Sequence, residues 1–337
     1  MGFHEWLSHD NFFELDPILS RNGGPVQKHP GESSEIVVRE ALQFINKAKR
    51  DGRPSFTVVW FGSPHEPYFG TEPYLSMYKN LADPIRSRLA EISAMDFAIG
   101  QLRDGLKKAG LRDNTLLWYC GDNGVPPEGR LTTPYRGAKG KVYEGGIRVP
   151  GIIEWPARLK PTKSSVPAVT TDMLPTLCEI TGTALPKRPL DGISLKPLLD
   201  GKMKERPTPI FFWEFDSSRE IKRNPPPYIP AELQEGTTPT AKLMAGKYTR
   251  SFRNFKHPKI EPSDSEGPAA ALGNRHKLVV DASPNAGLEL FDLDQDRGET
   301  KNLAAANTKL SAKMERELRA WQKSVLNSLT GADYSKL

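Results

Sequence analysis

The sequence has only two cysteines, Cys120 and Cys178, in 337 residues. So few exclude a disulfide framework. Two buried free thiols are the expectation, with a single bridge between them as the alternative. Long apolar runs are also missing. The longest strongly apolar stretch near the start, Val58-Val59-Trp60-Phe61, is a strand core and far too short to cross a bilayer. The opening Met1-Gly2-Phe3-His4-Glu5-Trp6 lacks a basic stretch followed by an apolar one, and Trp6 stands where a myristoylation signal needs Ser or Thr. No export or anchoring signal is therefore visible. Zinc-finger spacing, a basic helix with heptads and an aromatic–glycine RNA motif are all absent, which leaves nucleic acid without specific support. No internal repeat is present.

What is there suits a globular chain. Hydrophobic residues make up 37% and charged residues 26% with both signs mixed, enough for a sizeable core under an ordinary soluble surface. The net charge of +6 suits anionic partners such as nucleic acid, sulfated polysaccharide or acidic lipid, and does not choose among them.

Periodicity predicts a helix over 33–50, capped by Ser33 or Ser34 with a stripe of Val37, Ala41, Phe44, Ile45 and Ala48. Asp51-Gly52-Arg53-Pro54 stops it. Residues 56–61 form a continuous apolar run of β-formers, read as a strand covered on both faces. A second helix over 85–109 has the stripe Leu89, Ile92, Met95, Ile99, Leu102 and Leu106 and ends at Gly110. A second buried strand spans 115–119. This alternation predicts an α/β layered fold with a largely parallel sheet, in which ligands bind beyond the carboxyl ends of strands. His65 and the Asp122-Asn123 pair fall at such ends. Further expectations are a glycine-rich loop over 124–146, a strand over 147–155, a short helix over 172–180 and a strand within 207–215. Residues 216–274, rich in Pro, Ser, Gly, Lys and Arg, read as long loops or an insertion. A two-stranded hairpin over 276–281 and 288–293 and a helix over 308–329 make a small C-terminal α+β subdomain. The expected division is 1–215, 216–274 and 275–337.

The candidate chemistry begins with Asp122-Asn123. Two adjacent oxygen-bearing side chains at a strand end suit a hard cation such as calcium or magnesium. Asp-Asn-Gly is also common turn chemistry, and spacing alone favours the turn. The loop that follows is Tyr135-Arg136-Gly137-Ala138-Lys139-Gly140-Lys141-Val142-Tyr143-Glu144-Gly145-Gly146-Ile147-Arg148-Val149-Pro150. Its glycines let the backbone approach a ligand, and Lys139 can present a point charge to an anion. The alternative is a solvated basic loop.

Lys-Gly-x-x-Tyr-Glu-Gly-Gly-x-Arg-x-Pro at 139–150 resembles the second signature of the formylglycine-dependent sulfatases. Gly-Asp-Asn-Gly at 121–124 and Pro64-His65-x-Pro67 also look like theirs. So do Met95-Asp96-x-Ala98-Ile99-Gly100, Asp172-Met173-Leu174-Pro175-Thr176-Leu177, and the tail run Leu290-Phe291-Asp292-Leu293 with Asp296, Gly298-Glu299-Thr300 and Asn302-Leu303-Ala304. The likeness covers nearly the whole chain except 216–274 and extends to enzymes acting on sulfated N-acetylgalactosamine.

The resemblance implies an alkaline-phosphatase-like fold and sulfate-ester hydrolysis by a formylglycine nucleophile with calcium. It implies Asp122 and Asn123 as metal ligands, and His65 and Lys139 as catalytic and substrate-binding groups, His65 as a candidate acid. It implies a sulfated small molecule or glycan as partner, and a periplasmic, extracellular or lysosomal setting. The sequence departs from the family in one block. Neither cysteine stands in Cys-x-Pro/Ala-x-Arg, no Asp-Asp pair occurs, and no histidine stands in Lys-x-His. The expectation is a chain with half a calcium site, exposed sheet edges and no turnover by itself. Two other readings stay open: a degenerate sulfatase that only binds anions, and a phosphate or phosphonate ester hydrolase, which the 139–150 signature disfavours. Two weaker signals remain. Pro225-Pro226-Pro227-Tyr228 resembles a WW-domain ligand and also reads as a stiff loop. Lys242, Lys247, Arg250, Arg253, Lys256 and Lys259, with Tyr248, Phe252 and Phe255 between them, suit either a sulfated glycan or solvent.

Overall fold

The computed structural model describes residues 3–8, 15–127, 133–214, 259–282 and 287–334. They form two compact units. The Pro-Pro-x-Tyr run and most of the basic cluster between 242 and 256 lie outside the described residues. Lys259, at its end, pairs with Glu261 at 2.7 Å.

The first unit holds residues 3–115 with 155–157. It opens with an antiparallel meander, β1 (Leu7–Ser8), β2 (Ile18–Arg21) and β3 (Val26–Lys28). Helix α1 (Ser33–Arg50) follows at the bounds the sequence predicts. Its cap differs: Ser33 and Ser34 are buried inside the first turn, and the Glu32 carboxylate accepts the Glu35 N–H. Ile36, Val38, Ala41, Ile45 and Ala48 are buried, whereas Val37 and Phe44 lie at the edge of the stripe. Lys47, Lys49 and Arg50 in the last turn oppose the helix dipole.

Helix α2 (Ile85–Lys108) packs on α1. Its buried face is turned by one position from the expected stripe, onto Ala90, Glu91, Ala94, Ala98, Leu102 and Leu106. Small residues let neighbouring backbone come close, and the longer Leu89, Ile92, Met95 and Ile99 cover the flanks. Both helices end in a Schellman turn. Leu111 N–H reaches Leu106 O and Gly110 N–H reaches Lys107 O, as Arg53 N–H reaches Ala48 O and Gly52 N–H reaches Lys49 O.

Residues 56–61 correct the sequence reading. They carry no ladder to any described residue, and Phe56, Val58 and Trp60 are 61%, 42% and 79% exposed. An apolar extended run without a partner is a template for association. Phe56→Lys with Trp60→Lys is expected to reduce concentration-dependent self-association of the full chain. Stability should change by less than about 0.5 kcal/mol at Trp60 and by about 1 kcal/mol at Phe56, whose ring stacks on Phe3 at 6.0 Å. Sedimentation velocity and urea unfolding test both halves.

The second unit contains β4 (Leu117–Cys120), the one-turn helix α3 (Glu144–Ile147) and β5 (Gly151–Glu154), followed by α4 (Met173–Thr181) and α5 (Lys196–Leu199). The strand expected over 147–155 begins only at Gly151, because residues 144–147 close a helical turn. Strands β4 and β5 pair antiparallel, Leu117 opposite Glu154 and Cys120 opposite Gly151. Every ladder among the described residues is antiparallel; the run at 56–61, which the parallel arrangement needed, pairs with none of them.

Strands β6 (Ile210–Trp213), β7 (Ala269–Leu272), β8 (His276–Val280) and β9 (Glu289–Asp292) form a four-stranded antiparallel sheet in sequence order. The expected hairpin is therefore half of a larger sheet, and β7 lies in a stretch read as loop. Its Ala-Ala-Ala-Leu is too bland to signal a strand, yet Ala269, Ala270 and Ala271 are fully buried. Helix α6 (Thr308–Leu329) covers one face, packing Met314 and Leu318 on Ala269, Ala271, Leu278, Val280 and Leu290. Val142 and Tyr143 of the glycine-rich loop pack on the other face, against Ala270, Val279 and Phe291. Among the described residues no helix is long and apolar enough to cross a membrane.

Asp172 stands near the start of α4 and is fully buried. Its two carboxylate oxygens take both Arg206 terminal nitrogens, at 2.7 and 2.9 Å, and the N–H groups of Val169 and Ile193. All of its acceptors point inward, so the family-like Asp172 is a structural hub.

Candidate anion and metal site

The turn after β4 and the glycine-rich loop are zipped together along their backbones. Gly121 N–H donates to Pro150 O, Gly124 N–H to Gly146 O, Val125 N–H to Gly145 O, and Lys139 N–H to Val125 O at 2.6 Å. The loop also closes on itself, Gly145 N–H to Arg136 O at 2.7 Å. Glycine is required here for proximity. A Cβ on Gly124 would lie 2.1 Å from Gly145 O, and one on Gly146 would lie 2.0 Å from Lys141 O and 2.5 Å from Ala138 O. The two sequence motifs are thus one structural object. They bring Asp122, Asn123 and Lys139 onto a shared frame.

Asp122 is exposed. Asn123 is half-buried, and its Nδ2 donates to Gly124 O at 2.9 Å, which leaves Oδ1 as an acceptor. Lys139 is exposed. The loop's other cations are committed. Arg136 lies 3.0 Å from Glu289 and stacks 3.9 Å over the Tyr143 ring. Lys141 pairs with Glu214 at 3.1 Å, and Arg148 with Glu144 at 3.0 Å. Among the described residues Lys139 is the loop cation without an ion pair.

Under the loop lies a buried charge cluster that the residue types did not reveal. Lys277 on β8 is fully buried, with Nζ 3.1 Å from Glu144 Oε1 and 2.8 Å from Glu299 Oε1. The second of these is an ion pair by distance without hydrogen-bond alignment. Glu299 Oε2 accepts the Glu144 N–H at 2.7 Å. Burial raises the Glu299 pKa above the ordinary carboxylate value, and the Lys277 charge only partly opposes it. The signature residues Tyr143 and Glu144 therefore hold the loop to the C-terminal segments, through Glu289 and Glu299 more than 140 positions away, while Arg148 braces Glu144 inside the loop. Only Glu299 had a sequence signal, as part of the tail motif.

His65 belongs to the first unit. It is half-buried, and its Nδ1 lies 2.8 Å from Glu66 O. A carbonyl only accepts, so Nδ1 carries the proton in that bond. Cys120 is a half-buried free thiol whose pKa is raised, first by burial and then by the Asp122 charge; it is no activated nucleophile. Cys178 is free and buried.

Asp122 and Asn123 fit calcium in kind, offering a carboxylate and an amide oxygen. In number they fall short of the roughly six to eight oxygens calcium takes. No group of three or more His, Cys, Asp or Glu among the described residues could hold a metal.

The fold is of the alkaline-phosphatase-like α/β class. Ps i-CgsB, solved in complex with k-i-k-neocarrahexaose, superposes with a TM-score of 0.72 at 20% identity, over 96% of this chain and 67% of that one. BT4656, solved with D-glucosamine-2-N,6-O-disulfate, gives 0.67 at 16% identity, over 96% of this chain and 76% of that one. The chain belongs to the sulfatase family, whose model matches residues 1–183. It is similar to human arylsulfatase A, 29% identical over 78% of this chain and 47% of that protein. It is also similar to dog N-acetylgalactosamine-6-sulfatase, 26% identical over 64% of this chain and 40% of that protein. The chain thus spans about half the length of the curated relatives it matches.

Proposed function

We propose that this chain supplies one wall of a sulfate-ester hydrolase site. Lys139 on the zipped loop carries the reading, because among the described residues the other loop cations, Arg136, Lys141 and Arg148, are each fixed in an ion pair. Lys139 neutralises the sulfate. Asp122 and Asn123 would hold a calcium ion together with oxygens from outside this set, and that ion would supply positive charge to the sulfate oxygens. His65, on the first unit, is the candidate acid for the leaving oxygen, as the family pattern implies. Sulfated carbohydrates are the favoured substrate class, since both sulfatase-fold structures above were solved with carbohydrates. No step runs through a formylglycine, because Cys120 and Cys178 stand outside the nucleophile motif.

Calorimetric titration of inorganic sulfate into the full chain, with and without calcium, tests this. Lys139→Ala should weaken sulfate binding by about tenfold, the worth of one charge-assisted hydrogen bond. Asp122→Asn should abolish any gain from calcium. Equal affinity in all three proteins would sink the proposal. A second reading, an anion-binding relative without turnover, is favoured by the place of Cys120 and Cys178 outside the nucleophile motif. It shares the binding result and predicts no release of nitrocatechol from its sulfate by the full chain; turnover there would overturn it.

A further inference from the structure

Residues 62–70 carry His65 without regular secondary structure, so something must hold them. Two contacts with α2 do so. The first is proximity: a Cβ on Gly70 would lie 2.9 Å from both the Ala90 Cβ and the Ser87 Cα. The second is polar. Glu91, next along α2 and buried, accepts the Phe69 N–H at 2.5 Å. Phe69 lies four residues after His65. An acid on the buried face of α2 is not explained by packing, since leucine would fill the position without the cost of desolvating a carboxylate. Its hydrogen bond runs to the loop.

We infer that Glu91 is a positioning residue, whose carboxylate anchors the His65 loop at the Phe69 N–H and thereby sets the orientation and proton affinity of the imidazole. The inference rests on the reading of His65 as the acid of the proposed site. Glu91 is held at a cost that the geometry explains. Burial raises its pKa to about 7, with the bond from Phe69 opposing the rise and the Glu32 charge adding to it. A carboxylate kept there despite that penalty has a backbone donor waiting for it.

The test uses the full chain and four variants, Glu91→Gln, Glu91→Leu, Glu91→Asp and Ser63→Ala. It reads the His65 ring titration by NMR and the Phe69 amide by hydrogen exchange. Glu91→Gln keeps an acceptor for Phe69 and should leave the His65 titration near the parent's. Glu91→Leu should shift that titration and speed Phe69 exchange by about tenfold or more, the loss of one hydrogen bond to a charged acceptor. The α2 amides should keep their protection. Ser63→Ala, at a loop position away from the helix packing, should leave both readouts at the parent's values, and Glu91→Asp, which keeps the charge and shortens its reach to the Phe69 N–H, should move both part of the way and stands in if Glu91→Leu does not fold. The inference is overturned if Phe69 and α2 amides loosen together while the His65 titration stays fixed, which is what a purely structural acid would give. It is also overturned if Gln and Leu behave alike. Sulfate titration of His65→Ala separates this from the parent reading. Unchanged sulfate affinity there, with the Glu91 results intact, removes His65 from the site and leaves Glu91 as the loop's anchor.

Discussion

Gly146→Ala is expected to cost the second unit about 3 kcal/mol or more, at the upper end of what overpacking does. The added methyl would meet two backbone carbonyl oxygens, Lys141 O at 2.0 Å and Ala138 O at 2.5 Å. Neither can step aside as a flexible side chain would, because Lys141 N–H and Ala138 O are themselves bonded to each other in the turn. The loop would have to leave the β4 turn and take Lys139 with it. Gly151→Ala is the matched control. A Cβ there meets nothing within 4 Å, and its stability should stay within about 0.5 kcal/mol of the parent. Urea unfolding of the two variants measures the contrast, and sulfate affinity should fall in the first only. Equal midpoints would mean that the glycine zipper is not what holds the two motifs together.

Lys277→Met is the second large effect. Lys277 is completely buried between Glu144 and Glu299, so its removal leaves two carboxylates facing each other without their shared cation. Breaking a buried pair in this way costs about 3–5 kcal/mol. The loss should depend on pH in a definite direction. Burial already holds the Glu299 folded pKa above its ordinary value, and the Lys277 charge is the strongest influence opposing that rise. A carboxyl with a raised folded pKa stabilises the fold below its unfolded pKa, and that contribution is lost as pH rises through the folded one. Without Lys277 the folded value moves further up, so the deficit should be larger at pH 8 than at pH 5. Adding Glu299→Gln to Lys277→Met should recover part of the loss, since Glu144 keeps Arg148 and the glutamine oxygen can still accept the Glu144 N–H. Denaturation at the two pH values checks the slope. A deficit that grows on acidification would be inconsistent with the cluster as described.

Much of the chain was legible before folding. Helices α1, α2 and α6 fall where periodicity and glycine stops put them, because helical ends are set by local backbone chemistry. The motif at 139–150 and the Gly-Asp-Asn-Gly turn were visible as residue strings, and with them Asp122, Asn123 and Lys139. Other features were out of reach. The buried stripe of α2 runs along Ala90, Ala94 and Ala98, and the leucines and isoleucines beside it gave the stronger hydrophobic signal. Strand β7 is three alanines and a leucine, a composition that names no structure until a sheet and a helix close over it.

The sulfatase motifs at 121–124 and 139–150 were thus legible in the sequence alone, as strings whose glycines and two lysines announce a loop able to meet an anion. Tertiary structure decided which of those residues are available to do so. Lys139 was one of four similar cations until folding paired Arg136 with Glu289, Lys141 with Glu214 and Arg148 with Glu144. Glu144 stands only four residues before Arg148, but Glu289 and Glu214 lie on other segments, up to 153 positions away. No local pattern encodes a charge pairing at that separation, because it is made by the packing of the loop on the sheet.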